Sequence, residues 1–200
     1  RALMSPRPTA RTARTGFANV VGFDDAPFAR AHRGDVPVFG AVYADERLVG
    51  VLRSEVRRDG RNATAKLAGT LEGSKFREHV QCVLLQGIAL AGFNVVDLHA
   101  LHERLAVPVV VVVRHAPDLR AIERALLRHV PGGARKWALI QQAGPMEACG
   151  EVFVQRAGLS LAEAHATLLR HSREGNVPEP LRVAHLIAGG VTDGESRGRA

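Results

Sequence analysis

The stretch Pro108-Val109-Val110-Val111-Val112-Val113 decides the fold, because five consecutive β-branched residues behind a proline are typical of a buried strand. The segment before it, about 95–105, places apolar side chains every three or four residues and predicts a helix. Before that helix lies another run of low polarity, Val80-Gln81-Cys82-Val83-Leu84-Leu85. A strand, a helix and a second strand in this order predict parallel strands that are covered by helices on both faces.

The first third of the chain follows a different pattern. Residues 19–23 and 36–43 predict strands, and residues 47–56 alternate between apolar and polar side chains as a third strand. The polar turn Ala44-Asp45-Glu46 joins the last two as an antiparallel hairpin. We therefore predict an α/β fold with a mixed sheet, in which the first three strands are antiparallel and the later ones are parallel.

The last third of the chain predicts shorter elements. The segments 137–141 and 151–155 are apolar enough to form short strands. Ser160-Leu161-Ala162-Glu163 is a capping box that opens a helix to about His171. Pro178-Glu179-Pro180 begins another helix, because proline is tolerated in the first helical turn.

The composition is that of a globular protein, with 200 residues of which 46% are hydrophobic and 24% are charged. No apolar run approaches the roughly 20 residues of a membrane-spanning helix. Two cysteines cannot form a disulfide framework, and no secretory signal is recognisable, so we expect a cytoplasmic protein. We expect a single domain over 17–195, a basic flexible tail over 1–16 and a short flexible tail over 196–200.

The net charge of +7 favours a polyanionic partner such as DNA or RNA. The alternative is that the positive charge reflects a GC-rich coding sequence and has no functional meaning. Arginine is abundant, whereas lysine occurs only at Lys66, Lys75 and Lys136. The charge alone does not decide between these interpretations.

Polar side chains follow the predicted strands. Asp24 and Asp25 come after the first strand, Gln86 after the fourth and Arg114 after the fifth. Ligand sites in such sheets form where strands end, and clustered carboxylates hold divalent cations that activate water. Because adjacent strand residues face opposite ways, we expect Asp24 to point inward. Asp59, after the third strand, is a further candidate for catalysis and metal binding; a simple turn is the alternative for all three acids.

Candidate phosphate contacts lie near the starts of two predicted helices. Asn94 and Asp97 precede the helix at about 95–105, where a capping role is the alternative. Arg182 and His185 are three residues apart and therefore lie on one face of the proline-initiated helix. Both lie near the start of that helix, where the helix dipole favours a bound anion. Arg114 completes the predicted nucleic-acid contacts.

Four sequence blocks carry a family resemblance: Val20–Phe28, Asp59–Thr64, Gly87–Asp97 and Pro178–Ala188. On these blocks the chain is identified, from about residue 17 to residue 195, as a member of the family catalogued as domain of unknown function ninety-nine, which is similar to endonuclease V. The resemblance implies a ribonuclease H-like fold, and it implies cleavage of DNA or RNA near deaminated bases with Mg²⁺ held by carboxylates.

The resemblance places Asp24 at the catalytic aspartate of the first strand, whereas Gln86 occupies a position where an acid is expected. Our first hypothesis is therefore a nucleic-acid-binding protein with an incomplete carboxylate set, acting in DNA or RNA repair or processing. The first alternative is an active Mg²⁺- or Mn²⁺-dependent endonuclease that uses Asp24 with Asp25 or Asp59. The metal would be weakly held, by Asp24, Asp59 and Gln86. A small-molecule or protein-interaction module is the second alternative, and the oligomeric state stays open.

Overall fold

A mixed sheet of seven strands forms the centre of the protein. The computed structural model describes residues 15–173 and 175–196, so the predicted tails fall almost wholly outside the described residues. The strands of the described part are β1 (Asn19–Asp25), β2 (Asp35–Ala44), β3 (Arg47–Arg57), β4 (Cys82–Gln86), β5 (Ala89–Leu90), β6 (Asn94–Val95), β7 (Val109–Val113), β8 (Glu147–Cys149) and β9 (Val152–Ala157). Its helices are α1 (Ala63–Glu72), α2 (Leu98–Leu105), α3 (Leu119–His129), α4 (Gly133–Gln142), α5 (Leu161–His171) and α6 (Glu179–Asp193).

The order of the strands agrees with the predicted fold class. The sheet runs β3-β2-β1-β4-β7-β9-β8, and β5 pairs with β6 as a separate small hairpin. The pairs β1–β2 and β2–β3 are antiparallel, whereas β1–β4 and β4–β7 are parallel. The carboxyl ends of β1, β4 and β7 consequently meet at one edge of the sheet.

Two predictions for the last third of the chain are corrected. Strand β9 runs antiparallel to β7, because the chain returns through the β8–β9 hairpin and not through a single crossover helix. Residues 137–141 lie in helix α4, not in a strand. An apolar run of this length fits either element, and here Lys136 and Ile140 are buried one helical turn apart.

Helices cover both faces of the sheet. One core packs α1 and α2 against residues such as Val21, Phe23 and Leu85, and the other packs α5 and α6 against Val20 and Leu84. Asp97 and Asp118 cap α2 and α3, and the predicted capping box opens α5. Within the described residues no helix is long and apolar enough to span a membrane.

Gly22 lets helix α6 lie directly on β1, because a Cβ atom there would stand 2.5 Å from the Pro180 carbonyl carbon. Gly22→Ala is expected to lower the free energy of unfolding by about 1–3 kcal/mol, since two backbones would have to separate. Gly190→Ala is the matched control: it lies exposed in the same helix with nothing within 4 Å of its Cβ. Urea denaturation should show that this control gains about 0.5–1 kcal/mol, because alanine favours the helix. Equal effects at the two positions would contradict the close approach of α6 and β1.

Candidate active site

A cleft of about 420 Å³ opens where β1, β4 and β7 end. Strand β1 supplies Asp24 and Asp25, β4 supplies Gln86, and Arg114 follows β7. Helix α6 brings His185 to the same cleft, and the loop after β1 completes it with three apolar residues: Ala26, Pro27 and Phe28. The aromatic Phe28 was missed from the sequence, although its position in the loop directly after two acids could have indicated it.

Asp24 is the most buried acid of the cleft, with 5% of its surface exposed. His185 Nδ1 donates a hydrogen bond of 2.9 Å to Asp24 Oδ2, and the Asp25 backbone N–H donates one of 3.0 Å to Asp24 Oδ1. Burial raises the pKa of Asp24 above its ordinary value, although the hydrogen bond and the charge of His185 act against the rise. Helix α6 therefore places the imidazole of His185 in hydrogen-bond contact with the desolvated carboxyl group of Asp24.

Asp25 follows Asp24 at the end of β1, is half-buried and lines the same cleft. Its Oδ2 accepts a hydrogen bond of 2.9 Å from the Ala91 backbone N–H, in the loop after β5. Burial and then the charge of Asp24 raise the pKa of Asp25 to about 6. The expectation that Asp24 is the inward acid is thus incomplete, because at the end of a strand both side chains border the edge of the sheet.

Gln86 supplies the cleft with an uncharged oxygen. Its Oε1 is buried and has no hydrogen-bond donor among the described residues. An amide oxygen without a donor is suited to accept a hydrogen bond or to ligate a hard cation. Within the described residues no three His, Cys, Asp or Glu side chains come together as a metal-binding group. The oxygen donors that line the cleft are thus two carboxylates and one amide, a set that would give a divalent cation few protein ligands.

Asp59 does not line this cleft, which corrects its expected place beside Asp24. Its Oδ1 accepts a hydrogen bond of 2.8 Å from the Phe93 backbone N–H, and its Oδ2 lies 3.2 Å from Arg58 Nε. Its backbone oxygen accepts a hydrogen bond from Lys136, and its φ of 52° lies in the left-handed region. Asp59 therefore fixes the loop that carries Phe93, and the turn interpretation describes it correctly.

Asn94 is also corrected as a nucleic-acid contact, since none of its surface is exposed. Its Oδ1 accepts from the Ala63 backbone N–H, and its Nδ2 donates to the Arg57 backbone oxygen and to Asn62 Oδ1. These bonds join β3, α1 and β6. The side chain is a structural link that no solvent-borne ligand can reach.

The structure places only two of the four predicted phosphate-binding residues at the cleft. Arg114 and His185 line the cleft, and Asn94 is buried away from solvent. Arg182 does not line the cleft, and its guanidinium donates two hydrogen bonds of 2.7 Å to Glu179. Positive charge at the cleft itself therefore comes from Arg114, with His185 contributing when its imidazole is protonated.

Comparison with known proteins covers most of the residues that the structure describes. The model of the family described as Endonuclease dU matches residues 17–192. The chain belongs to the Endonuclease dU family. A UPF0215 protein of Deinococcus radiodurans is 59% identical over 194 residues, which cover 97% of this chain and 98% of that protein. These matches confirm the resemblance that the four sequence blocks indicate.

Solved structures extend the comparison to the fold. A protein of unknown function from Archaeoglobus fulgidus superposes with a TM-score of 0.81 at 34% identity, covering 86% of this chain and 97% of that one. Endonuclease V of Ciona intestinalis, solved with DNA that contains an inosine, gives a TM-score of 0.52 at 14% identity over 84% of this chain and 82% of that one. This second likeness confirms the endonuclease V-like fold alone. Family and fold together indicate a function related to nucleic acids.

Proposed function

We propose that the protein is a divalent-metal-dependent endonuclease for nucleic acids that contain a deaminated base. The observation that carries the proposal is the pair of adjacent acids at the carboxyl edge of the sheet, Asp24 buried and Asp25 half-buried, both with raised pKa values. Two adjacent, desolvated acids destabilise a fold while both are ionised, and a bound cation would offset that cost; acids kept in a cleft with perturbed pKa values are typical of functional sites. The description of the family as Endonuclease dU supports the substrate class, as does the inosine-containing DNA bound by the Ciona endonuclease V.

Each polar residue of the cleft has a role in this proposal. Asp24, Asp25 and Gln86 would hold Mg²⁺ or Mn²⁺, which supplies charge stabilisation at a phosphate and makes water a better nucleophile. Arg114 attracts the phosphate and orients it in the cleft. His185, whose ring Asp24 orients through Nδ1, exchanges a proton with the reacting oxygens.

A cleavage assay tests the proposal directly. End-labelled oligonucleotides containing deoxyuridine, deoxyinosine or only ordinary bases are incubated with the protein and Mg²⁺, Mn²⁺ or EDTA. We expect cleavage of the deaminated substrates with either metal and none in EDTA. If no substrate is cleaved with either metal, the proposal that the protein is an endonuclease is rejected.

Binding without cleavage is the second candidate function, and Gln86 is the observation that favours it. An amide where a carboxylate would complete the set removes one unit of charge from the metal site. In that case the same oligonucleotides bind in a salt-dependent manner and stay intact. A small-molecule module gains no support, since the cleft is open to solvent and Arg114 stands on its rim.

Gln86→Glu is expected to strengthen metal binding, because it adds a carboxylate of the same length at the edge of the cleft. We expect the Mn²⁺ concentration that gives half of the maximal thermal stabilisation to fall about tenfold, which corresponds to about 1.4 kcal/mol. Differential scanning fluorimetry across a Mn²⁺ series measures this without requiring activity. Gln142→Glu, an exposed position at the end of α4, is the control and should leave the Mn²⁺ dependence unchanged. A Gln86→Glu protein with the wild-type Mn²⁺ dependence would exclude this residue from the metal site.

A further inference from the structure

A second pocket of about 230 Å³ lies between helices α3 and α4 and shares no residue with the Asp24 cleft. Its volume is below the roughly 300–1,000 Å³ of pockets for drug-sized ligands, so it fits a single ring system. Trp137 and Ile140 form its apolar side, Gln155 lines it from β9, and Arg120 and Glu123 line it from α3. We infer that this α3–α4 pocket holds an unstacked base of a bound nucleic-acid strand, while arginines of α3 hold its phosphates. The inference rests on the proposed function in nucleic-acid processing and adds where the strand is held.

Trp137 provides the stacking surface. It is the single tryptophan of the chain, it is partly buried, and it packs beside Ile140 in the cluster under α3 and α4. Aromatic side chains bind bases of any sequence because every base offers a π-face, and each stacked base contributes substantially to affinity. An indole in a pocket of this size therefore points to a flat heterocycle as the ligand.

Gln155 provides a hydrogen-bond acceptor at the same pocket. The side chain is 3% exposed, and its Nε2 donates to the Gly144 backbone oxygen at 2.7 Å. The Ile140 backbone oxygen lies near the same nitrogen, at 3.4 Å, so the amide orientation is fixed with nitrogen toward both carbonyls. Oε1 consequently has no donor among the described residues. A ring N–H or an exocyclic amine of a base would supply the missing donor.

Three arginines extend the pocket along helix α3. Arg120, Arg124 and Arg128 are exposed and four residues apart, so they share one face at intervals of about 6 Å along the helix axis. No ion pair joins them to an acid in the part of the chain that the structure describes. Exposed guanidinium groups on one helix face can each bind a phosphate of a nucleic-acid strand. An ordinary solvent-exposed helix face could carry the same three arginines. The base-sized pocket that Arg120 lines is the feature that such a face would lack.

The α3–α4 pair is also joined to elements that form the Asp24 cleft. Helix α3 starts five residues after Arg114, which lines that cleft. Helix α4 packs on the β5–β6 hairpin, which follows Gln86 directly in the chain. The cleft and the α3–α4 pocket are thus carried by elements that neighbour one another in the chain, and the proposal has one strand contact both.

Trp137 fluorescence tests the pocket directly, because no other tryptophan contributes to the signal. The full chain is titrated in EDTA with a short single-stranded oligonucleotide and with a chain of abasic sugar-phosphate units of equal length. We expect the base-bearing strand to quench the emission, whereas the abasic chain binds without quenching. Trp137→Ala should weaken binding of the base-bearing strand about 5- to 150-fold, and Trp137→Phe should retain most of the affinity. Saturated binding of the base-bearing strand without quenching would overturn the inference.

The arginines are tested by a charge-matched pair of triple variants. Arg120→Gln, Arg124→Gln and Arg128→Gln together should reduce the slope of log K against log salt by about 2, or about 0.7 for each phosphate contact. The control removes three exposed arginines at and near the opposite edge of the sheet, Arg47, Arg53 and Arg173, and should change the slope little. Equal losses in both variants would overturn the inference and leave the proposed function intact. A wild-type protein that binds no nucleic acid would reject the proposed function itself.

Discussion

Asp24→Asn is expected to lower the rate of metal-dependent cleavage at least about 100-fold. Asparagine keeps the shape of the side chain and an oxygen for the hydrogen bond from His185. It removes the charge that would hold the cation and that stabilises a protonated imidazole. The loss should therefore be catalytic and not structural, and the melting temperature should stay equal to that of the wild type or rise.

The matched control for this experiment is Asp193→Asn. Asp193 is exposed at the last residue of α6, the helix that carries His185, and it does not line the cleft. Single-turnover cleavage of a deoxyuridine oligonucleotide in Mn²⁺ is measured for the wild type and for both variants. A wild-type rate in Asp24→Asn would place the chemistry outside the Asp24 cleft. Low rates in both variants would point to a general loss of folded protein.

The main strands could be predicted because their side-chain patterns are local. The valines of β7 and the low-polarity run of β4 identify two buried strands, and the alternation in β3 identifies a strand at the edge. The position of Asp24 follows from this, because a polar residue at the end of a buried strand must lie at an edge of the sheet. The same reasoning predicts that Gln86 and Arg114 lie at this edge of the sheet, as they do.

Asp59 and Asn94 were misplaced because distant contacts decide their roles. Asp59 accepts its hydrogen bond from Phe93, 34 residues further along the chain, and Asn94 bonds to Ala63 across 31 residues. No local pattern in either segment records these partners. Helix α4 was misread for a related reason, since its apolar run satisfies strand and helix patterns equally until the neighbouring elements are known.

The desolvation of Asp24 and Asp25 lowers the stability of the folded protein. A sequence cannot show that both acids lose solvent, since this depends on how α6 packs over Gly22 and on how the loop at Ala91 closes. Burial of two acids without a cation raises both pKa values and destabilises the folded state near neutral pH. A divalent cation bound in the cleft would reverse this effect, so the proposal couples metal binding to folding stability.

Asp25→Asn is expected to stabilise the metal-free protein at pH 7 by about 2–3 kcal/mol and to leave its stability unchanged below pH 4. The pKa of Asp25 rises from 3.8 to about 6 on folding, so the folded protein binds this proton more tightly than the unfolded chain does. The stabilising contribution of the protonated acid is complete below about pH 4 and is lost as the pH rises through about 6. An amide has no proton to lose, and its oxygen can still accept the hydrogen bond from Ala91.

Thermal melts in EDTA from pH 4 to pH 8 measure this difference. The wild type should lose stability between about pH 4 and pH 6, and Asp25→Asn should melt about 4–12 °C higher at pH 7. Asp193→Asn again serves as the control, because its exposed carboxylate lies away from the cleft. Mn²⁺ at pH 7 should stabilise the wild type more than Asp25→Asn, since the variant lacks one of the charges that hold the cation. Parallel stability curves for the wild type and Asp25→Asn across this pH range would show that Asp25 is solvated, which would remove the argument that its charge is held for a metal.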